Sequence, residues 1–376
     1  MRGAGQVDDH GRHGARPARR LEPEVRLFCQ PVVRNLSPFP SLIQRLHPPA
    51  IRQRSVAHPP DSRCEGDCVP ATVLRGRPRP LPIAALLGAL ALAGPSTCAA
   101  DGKLLLTGGV SSIDGTAGGG LTPWALTGSY ATEGQWGGSS HATVVRSGDY
   151  RLLSYGASLS WNDRLEFSLA RQDLDTRNNL APLGLPGLHL KQNIAGLKWR
   201  VAGEAVLDAD RWMPQIAIGL LHKRSNAGDL GPTLHGPLGA RRSGTDFYLS
   251  ATKLLLAQGL LINGTLRSTE ANQNGLLGFG GAQSAGRRWQ PELSLAWLLS
   301  PQLALGAEWR AKPDNLDHSV LGTGALREDD WKDLFLAWAP NKQLSLTLAY
   351  VDLGRIAPAL QPRRQRGGYL SVQLAF

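Results

Sequence analysis

Covalent hydrolysis needs a nucleophile, a base beside it and a group that orients the base. Past residue 100 the chain has five histidines, His141, His189, His222, His235 and His318. It has no G-x-S-x-G string; Ala282-Gln-Ser284-Ala-Gly286 is a near miss. Ser140 and Ser158 are the serines available to His141, but Ser140 and His141 are adjacent and in a strand would face opposite ways. A polar wall is the expected role, and no catalytic residue is assigned. Cys64-x-x-x-Cys68 with His58 lacks a fourth metal ligand at suitable spacing. Asp208-x-Asp210 offers two carboxylates, which suit capping a turn better than holding calcium. GLLGFGG (Gly275 to Gly281) lacks the G-x-G-x-x-G spacing of a phosphate loop. No cofactor and no metal are expected.

The elements that would carry these residues read with period two. Leu293, Leu295, Trp297 and Leu299 alternate with Glu292, Ser294 and Ala296, and Leu344, Leu346, Leu348 and Tyr350 with Ser345, Thr347 and Ala349. Such alternation over about ten residues marks a strand with two unlike faces. Fourteen segments can be drawn, at 103–110, 122–131, 138–146, 149–161, 164–173, 190–202, 212–223, 245–255, 259–269, 288–299, 302–311, 331–339, 342–351 and 367–376. The first two are the weakest, because Gly-rich SSIDGTAGGG separates them. Tight turns at Asn162-Asp163, Ala257-Gln258, Ser300-Pro301 and Pro340-Asn341 alternate with long polar loops near 174–189, 224–244, 270–287, 312–330 and 352–366. Segment 203–211 is a longer exception on the short side.

Short turns on one side and long loops on the other are expected of an outer-membrane barrel, not of a soluble β-sandwich. The predicted fold is all-β: a transmembrane up-and-down antiparallel barrel of about 14 strands, or 12 if residues 101–121 lie in the lumen. Trp161, Trp212, Trp297, Trp338 and Phe376 fall at the short-turn end, and Tyr150, Trp289, Trp309 and Tyr350 at the other. These are two candidate interfacial belts. In the last strand Leu370, Val372, Leu374 and Phe376 share a face and resemble the terminal signal read by the barrel assembly machinery. Gln373 points the other way, where an arginine should be tolerated. Opposite the apolar stripes lie Glu166, Glu292, Glu308 and Asp333 with Lys198, Arg200, Arg267 and Arg310. This balanced set of lumen charges is either a salt-bridged wall, the favoured reading, or an eyelet that orients a polar solute.

Charge and proline divide the chain near residue 100. The first hundred residues hold 14 arginines, no lysine, 7 acidic residues, 14 of the 26 prolines and all four cysteines; the rest holds 27 basic against 23 acidic residues and all ten tryptophans. The overall basicity therefore belongs mostly to the leader, and no nucleic-acid partner is expected. Arg75, Arg77 and Arg79 precede the uncharged run Leu81 to Ala100, which ends in small residues. That is the pattern of a secretory signal, and its strongly apolar part is too short to span a bilayer. The expected organisation is a disordered or untranslated leader at 1–74, a signal peptide at 75–100 and a barrel at 101–376. Translation starting near Val73 or Leu74 would account for the misplaced signal.

The stretches GGGLTPWAL, RVAGEAVLDADRWMPQIAIG, SGTDFYLSATKLLLAQGLLINGTLR and LAWAPNKQLSLTLAYVDLG, with shorter strings between them, resemble an uncharacterised proteobacterial family, domain of unknown function 3034. The resemblance covers residues 102–376 and implies an outer-membrane barrel. It supplies no substrate and no functional residues. The leading functional expectation is a passive pore or small-solute uptake channel. The alternative is a structural or surface-interaction barrel with a sealed lumen, and a barrel hydrolase is a remote third. Lipid and lipopolysaccharide are the expected partners, with the assembly machinery during biogenesis.

Export by this signal predicts a mature chain that begins at Ala100 or Asp101. N-terminal sequencing of the membrane-inserted form checks it; residues from 1–72 at that terminus would overturn it.

Overall fold

The computed structural model describes residues 103–376 except 109, 207–211 and 285. The leader, the signal segment, Cys64, Cys68, His58 and Asp208-x-Asp210 lie outside the described residues. Twelve strands follow one another: β1 (Trp136–Ser147), β2 (Arg151–Trp161), β3 (Leu165–Asp175), β4 (His189–Ala202), β5 (Gln215–Asn226), β6 (Ser243–Leu255), β7 (Leu260–Thr269), β8 (Arg288–Ser300), β9 (Leu303–Arg310), β10 (Trp331–Trp338), β11 (Leu344–Asp352) and β12 (Arg366–Ala375). Each pairs antiparallel with its neighbours in sequence, and β12 returns to β1 to close the barrel. Closure continues past the strand, since Gly138 and Phe376 exchange backbone hydrogen bonds of 2.9 Å. No strand edge is left open in lipid.

The expectation of 14 strands is corrected to 12. Residues 103–110 and 122–131 alternate weakly in sequence but have no place in the wall. A wall strand must turn every second side chain outward, whereas Leu121 to Ala131 are all buried. Together with the glycine-rich stretch between them, these residues fold back on themselves through isolated bridges, Ser111 with Ala117 and Gly118 with Pro123. Two glycines permit this path. Gly115 adopts φ of +89°, and a Cβ on Gly119 would sit 2.0 Å from the Glu308 carboxylate.

Side-chain parity along the strands matches the two-faced reading. Leu293, Leu295, Trp297 and Leu299 are exposed on the outside of β8, while Glu292, Ser294 and Ala296 are buried inside. Phe167 and Leu169 on β3, Leu334 on β10, Leu348 on β11 and Leu370 on β12 extend the apolar band around the barrel. A contiguous apolar belt of this extent is the surface that a bilayer covers. Trp161, Trp212, Trp297, Trp338 and Phe376 are exposed at the short-turn end, joined by Trp136, whose ring centroid lies 6.0 Å from that of Trp161. At the long-loop end Trp289 and Tyr350 are exposed. Trp309 is half-buried, with Nε1 donating to Asp330 at 3.0 Å. Tyr150 departs from the expected belt. It precedes β2 rather than lying on its outer face, and its ring is buried in the lumen.

Gln373 is also corrected. It does face inward, but it is buried with Nε2 3.5 Å from the Gly108 carbonyl, so an arginine there meets packed chain instead of open water. The lipid face gives the cleaner test. Leu348→Arg places a charge at the middle of β11 and should cost about 2–4 kcal/mol, while Trp338→Arg at the short-turn end of β10 should cost about 0–1 kcal/mol. Urea unfolding of the heat-modifiable barrel in lipid vesicles reads the difference. Equal losses at the two depths would mean that the outer face does not see a bilayer.

Candidate functional site

The termini and short turns define the periplasmic end of the barrel, the long loops the outer end. Residues 103–131 enter the lumen from the periplasmic end, turn back near Ile113 and Asp114, and return to begin β1. The periplasmic mouth is fixed by Lys103, whose Nζ lies 2.5 Å from Asp163 and donates to Thr127 and the Ser129 carbonyl. Asp163 sits in the turn between β2 and β3 and also pairs with Arg200 at 2.8 Å.

The peptide groups of this plug are met by wall side chains. Glu166 on β3 accepts from the Thr116 hydroxyl at 2.5 Å, from Ala117 N at 3.1 Å and from Gly128 N at 2.7 Å. Lys198 on β4 donates to the carbonyls of Ala117 and Leu126, both at 2.8 Å, and lies 3.4 Å from Glu166. Glu308 on β9 accepts from Leu121 N at 2.6 Å and the Thr122 hydroxyl at 2.5 Å. Ser294 receives the Trp124 indole N–H at 3.0 Å. Ser250, Asn263 and Thr265 all donate to the Pro123 carbonyl, and Gln215 donates to that of Ala125. The register aligns these groups: Glu166 stands opposite Lys198, and Glu308 opposite both Ser294 and Asp333.

Higher in the lumen the plug contributes one carboxylate to an ion cluster. Asp114 lies 3.3 Å from Lys223 on β5, 3.7 Å from Arg267 on β7 and 3.3 Å from Arg310 on β9. Asn274 Nδ2 donates to it at 2.7 Å. Two wall carboxylates complete the cluster. Asp246 lies 3.1 Å from Lys223, and Glu292 lies 2.5 Å from Arg267 and 3.2 Å from Arg310. Three cations thus face three anions, and the third anion belongs to the plug. All six side chains are almost wholly buried.

Beside the cluster, towards the outer end, the lumen turns apolar. Ile113 and Leu121 of the plug face Val145, Tyr150, Leu152, Leu174, Trp331 and Leu353 around a small unfilled cavity of about 30 Å³. Its roof includes Leu276, from the β7–β8 loop, and Ile356. That loop folds inward: Asn272 to Gly281 are buried, and Asn274 donates or accepts within the ion cluster. GLLGFGG is therefore part of a second insertion into the lumen. The Pro- and Gly-containing stretch 181–188, in the β3–β4 loop, by contrast lies mostly exposed, with a short 3-10 turn at Ala181–Leu183. Its prolines and positive-φ glycines, Gly184 and Gly187, hold it as a surface turn. The long loops 312–330 and 352–366 are cross-linked by ion pairs. Hydrogen bonds from Arg355, with Arg364 nearby, hold the Asp329 carboxyl down at about 2.

All eight expected lumen charges (Glu166, Lys198, Arg200, Arg267, Glu292, Glu308, Arg310 and Asp333) are buried inside the barrel. They do not form one site. Arg200 belongs to the periplasmic mouth, Glu166 and Lys198 to the lower plug contact, Arg267, Glu292 and Arg310 to the Asp114 cluster. Sequence reasoning missed Asp114, Lys223, Asp246 and Asn274. Lys223 and Asp246 share the inward parity of their strands and were discoverable by it. Asp114 and Asn274 lie in irregular segments with no period to flag them. The serines and histidine weighed for hydrolysis are not assembled: Ser140 has the opposite strand parity from buried His141, Ser158 bonds Ser139 at 2.8 Å, and His141 Nε2 is buried without a hydrogen-bond partner.

Among solved structures, the KdgM porin in complex with disordered oligogalacturonate aligns over 63% of this chain and 99% of its own, at 9% identity and a TM-score of 0.40. The COG4313 outer membrane channel from Pseudomonas putida F1 aligns over 66% and 96%, at 12% identity and 0.40. Outer membrane phospholipase A from Escherichia coli aligns over 62% and 92%, at 9% identity and 0.34. No curated protein matches the sequence. Residues 107–373, which take in all but the first few residues of the plug and the last of the wall, match one family throughout, and the chain belongs to that family, described as Protein of unknown function (DUF3034).

Proposed function

We propose that this chain is a small-solute uptake channel of the outer membrane whose resting state is closed by its own N-terminal segment. On this reading the signal peptide is cleaved, the assembly machinery recognises Leu370, Val372, Leu374 and Phe376, and lipopolysaccharide surrounds the outer rim. The observation that carries the reading is the way the plug is held. It is bound to wall side chains and adds no strand to the wall. Both of its ends lie at the periplasmic mouth, so it can leave without threading past a loop. The wall behind it carries a cluster of basic and acidic side chains, Lys223, Arg267, Arg310, Asp246 and Glu292, that pair with one another as well as with the plug.

The density of contacts between plug and wall supports a second reading, a sealed structural barrel. Hydrogen bonds to charged groups contribute about 1.5–3 kcal/mol each when buried, and Glu166 and Glu308 alone accept several. A hydrolase is not favoured, since Ser140 faces away from His141 and Ser158 bonds the Ser139 hydroxyl rather than a base.

A reversible lock separates the first two readings. Thr122 Oγ1 and Ser294 Oγ are 2.5 Å apart, and no cysteine follows Cys98. Thr122→Cys with Ser294→Cys should therefore form a disulfide of about 2.05 Å between plug and wall with little movement. In planar bilayers the refolded barrel should show conductance steps that vanish when the double variant is oxidised and return on reduction. Silence of the reduced and the unsubstituted protein alike would leave the sealed barrel.

A further inference from the structure

We infer that the lumen holds a binding site for carboxylates with an apolar body, and that Ile113 and Asp114 of the plug occupy it in the resting state. The inference rests on the channel reading for its biological use, but the site itself is a matter of equilibrium binding. Its polar half is the ion cluster. Lys223, Arg267 and Arg310 come from alternate strands and converge on one carboxylate, which also receives the Asn274 amide. The wall supplies only Asp246 and Glu292 to the same cluster. Withdrawal of Asp114 leaves three buried cations against two anions, joined by a free amide N–H. Such a surplus is costly in a low-dielectric lumen and favours any anion that takes the vacated place. The next acids towards the periplasm, Glu308 and Asp333, are in register with each other and are not ion-paired to this cluster.

The apolar half adjoins it. Ile113 precedes Asp114 in the chain, and its side chain lies in the cavity formed with Leu152, Leu174, Trp331 and Leu353. The cavity as it stands, about 30 Å³, holds little more than a methyl group. A ligand must therefore displace the tip of the plug, and the space it gains is that of a branched hydrocarbon next to a carboxylate. The recognised class follows from that shape: a monocarboxylate with a hydrocarbon or aromatic body. A sugar acid fails the apolar half, and a neutral hydrocarbon fails the ionic half.

Phenylacetate is the probe, with acetate and 2-phenylethanol as the two half-matches, and calorimetry on the refolded barrel the measurement. In the resting protein Asp114 competes for the site, so binding is weakened by the fraction of chains in which the tip is out. Asp114→Asn removes the competing charge at constant size. Phenylacetate should bind this variant at least about tenfold more tightly than the unsubstituted barrel, and at least about tenfold more tightly than either half-match. Lys223→Met in the Asp114→Asn background should abolish the preference for phenylacetate over 2-phenylethanol. Should that variant not fold, the comparison of the three probes on Asp114→Asn still decides. Equal binding of phenylacetate and 2-phenylethanol, or no gain from Asp114→Asn, overturns the site. Phenylacetate binding without any conductance would retain the site and remove the channel. Conductance without a carboxylate preference would do the reverse.

Discussion

A peptide group carried into a barrel loses water and must find its hydrogen bonds inside. That constraint governs most of what the inner wall of this protein looks like. The plug between Lys103 and Ala131 satisfies only some of its backbone groups itself, because its glycines and its turn at Asp114 prevent a regular element. Its remaining N–H and C=O groups are answered from the wall by Glu166, Lys198, Gln215, Thr252, Asn263, Thr265 and Glu308. Carboxylates stand where the plug presents N–H groups, and ammonium or amide groups where it presents carbonyls. The wall is therefore a cast of one particular backbone path, and its side-chain types follow from that path.

The same constraint explains which parts of the fold were legible in the sequence. Every wall strand has lipid on one side and the filled lumen on the other, so period two survives along all twelve, and strand ends fell within three residues of those read from alternation. Lipid admits no exception to the outward pattern, and that is why Phe167, Leu295 and Leu348 could be placed by parity alone. The plug has no such asymmetry. Both sides of Leu121 to Ala131 are buried, so Trp124 and Tyr130 look like belt residues or strand residues until their surroundings are known. Counting them as wall gives two strands too many. Tyr150 misled for a related reason: an aromatic at a strand end suits an interface or a lumen equally, and only the turn before β2 decides which.

The charges show a subtler limit. Parity identifies that Arg267, Glu292 and Arg310 face inward, but not that their shared partner is a residue outside the wall. Balance was read from the wall alone, four acids against four bases. The physical unit is smaller, three cations with two wall carboxylates and Asp114, and it crosses from β5, β6, β7, β8 and β9 to the plug and the β7–β8 loop. Sequence distance of about 110 to 200 residues separates Asp114 from its ligands, and nothing local in SSIDGTAGGG announces an anion site.

On the channel reading, the vertical order of the lumen would give these contacts a dynamic meaning. At the periplasmic mouth the plug is tied by Lys103 and Asp163; along its middle it is held by neutral and charged hydrogen bonds; at its tip one carboxylate and one isoleucine face a charged cluster and an unfilled apolar space. The small cavity lies against the tip, and on the proposed reading the tip is also where a competitor would replace what the plug supplies. The middle of the plug offers no comparable exchange, because its partners bind peptide groups that a small solute does not carry. Opening that begins at the tip would first forfeit the Asp114 pairs and the Ile113 contacts, and only then the ladder of bonds from Glu166, Lys198 and Glu308. On the proposed reading, a solute that repaid the first loss would favour the second, and binding at the tip and release of the segment below it would be coupled through the continuity of one short piece of chain.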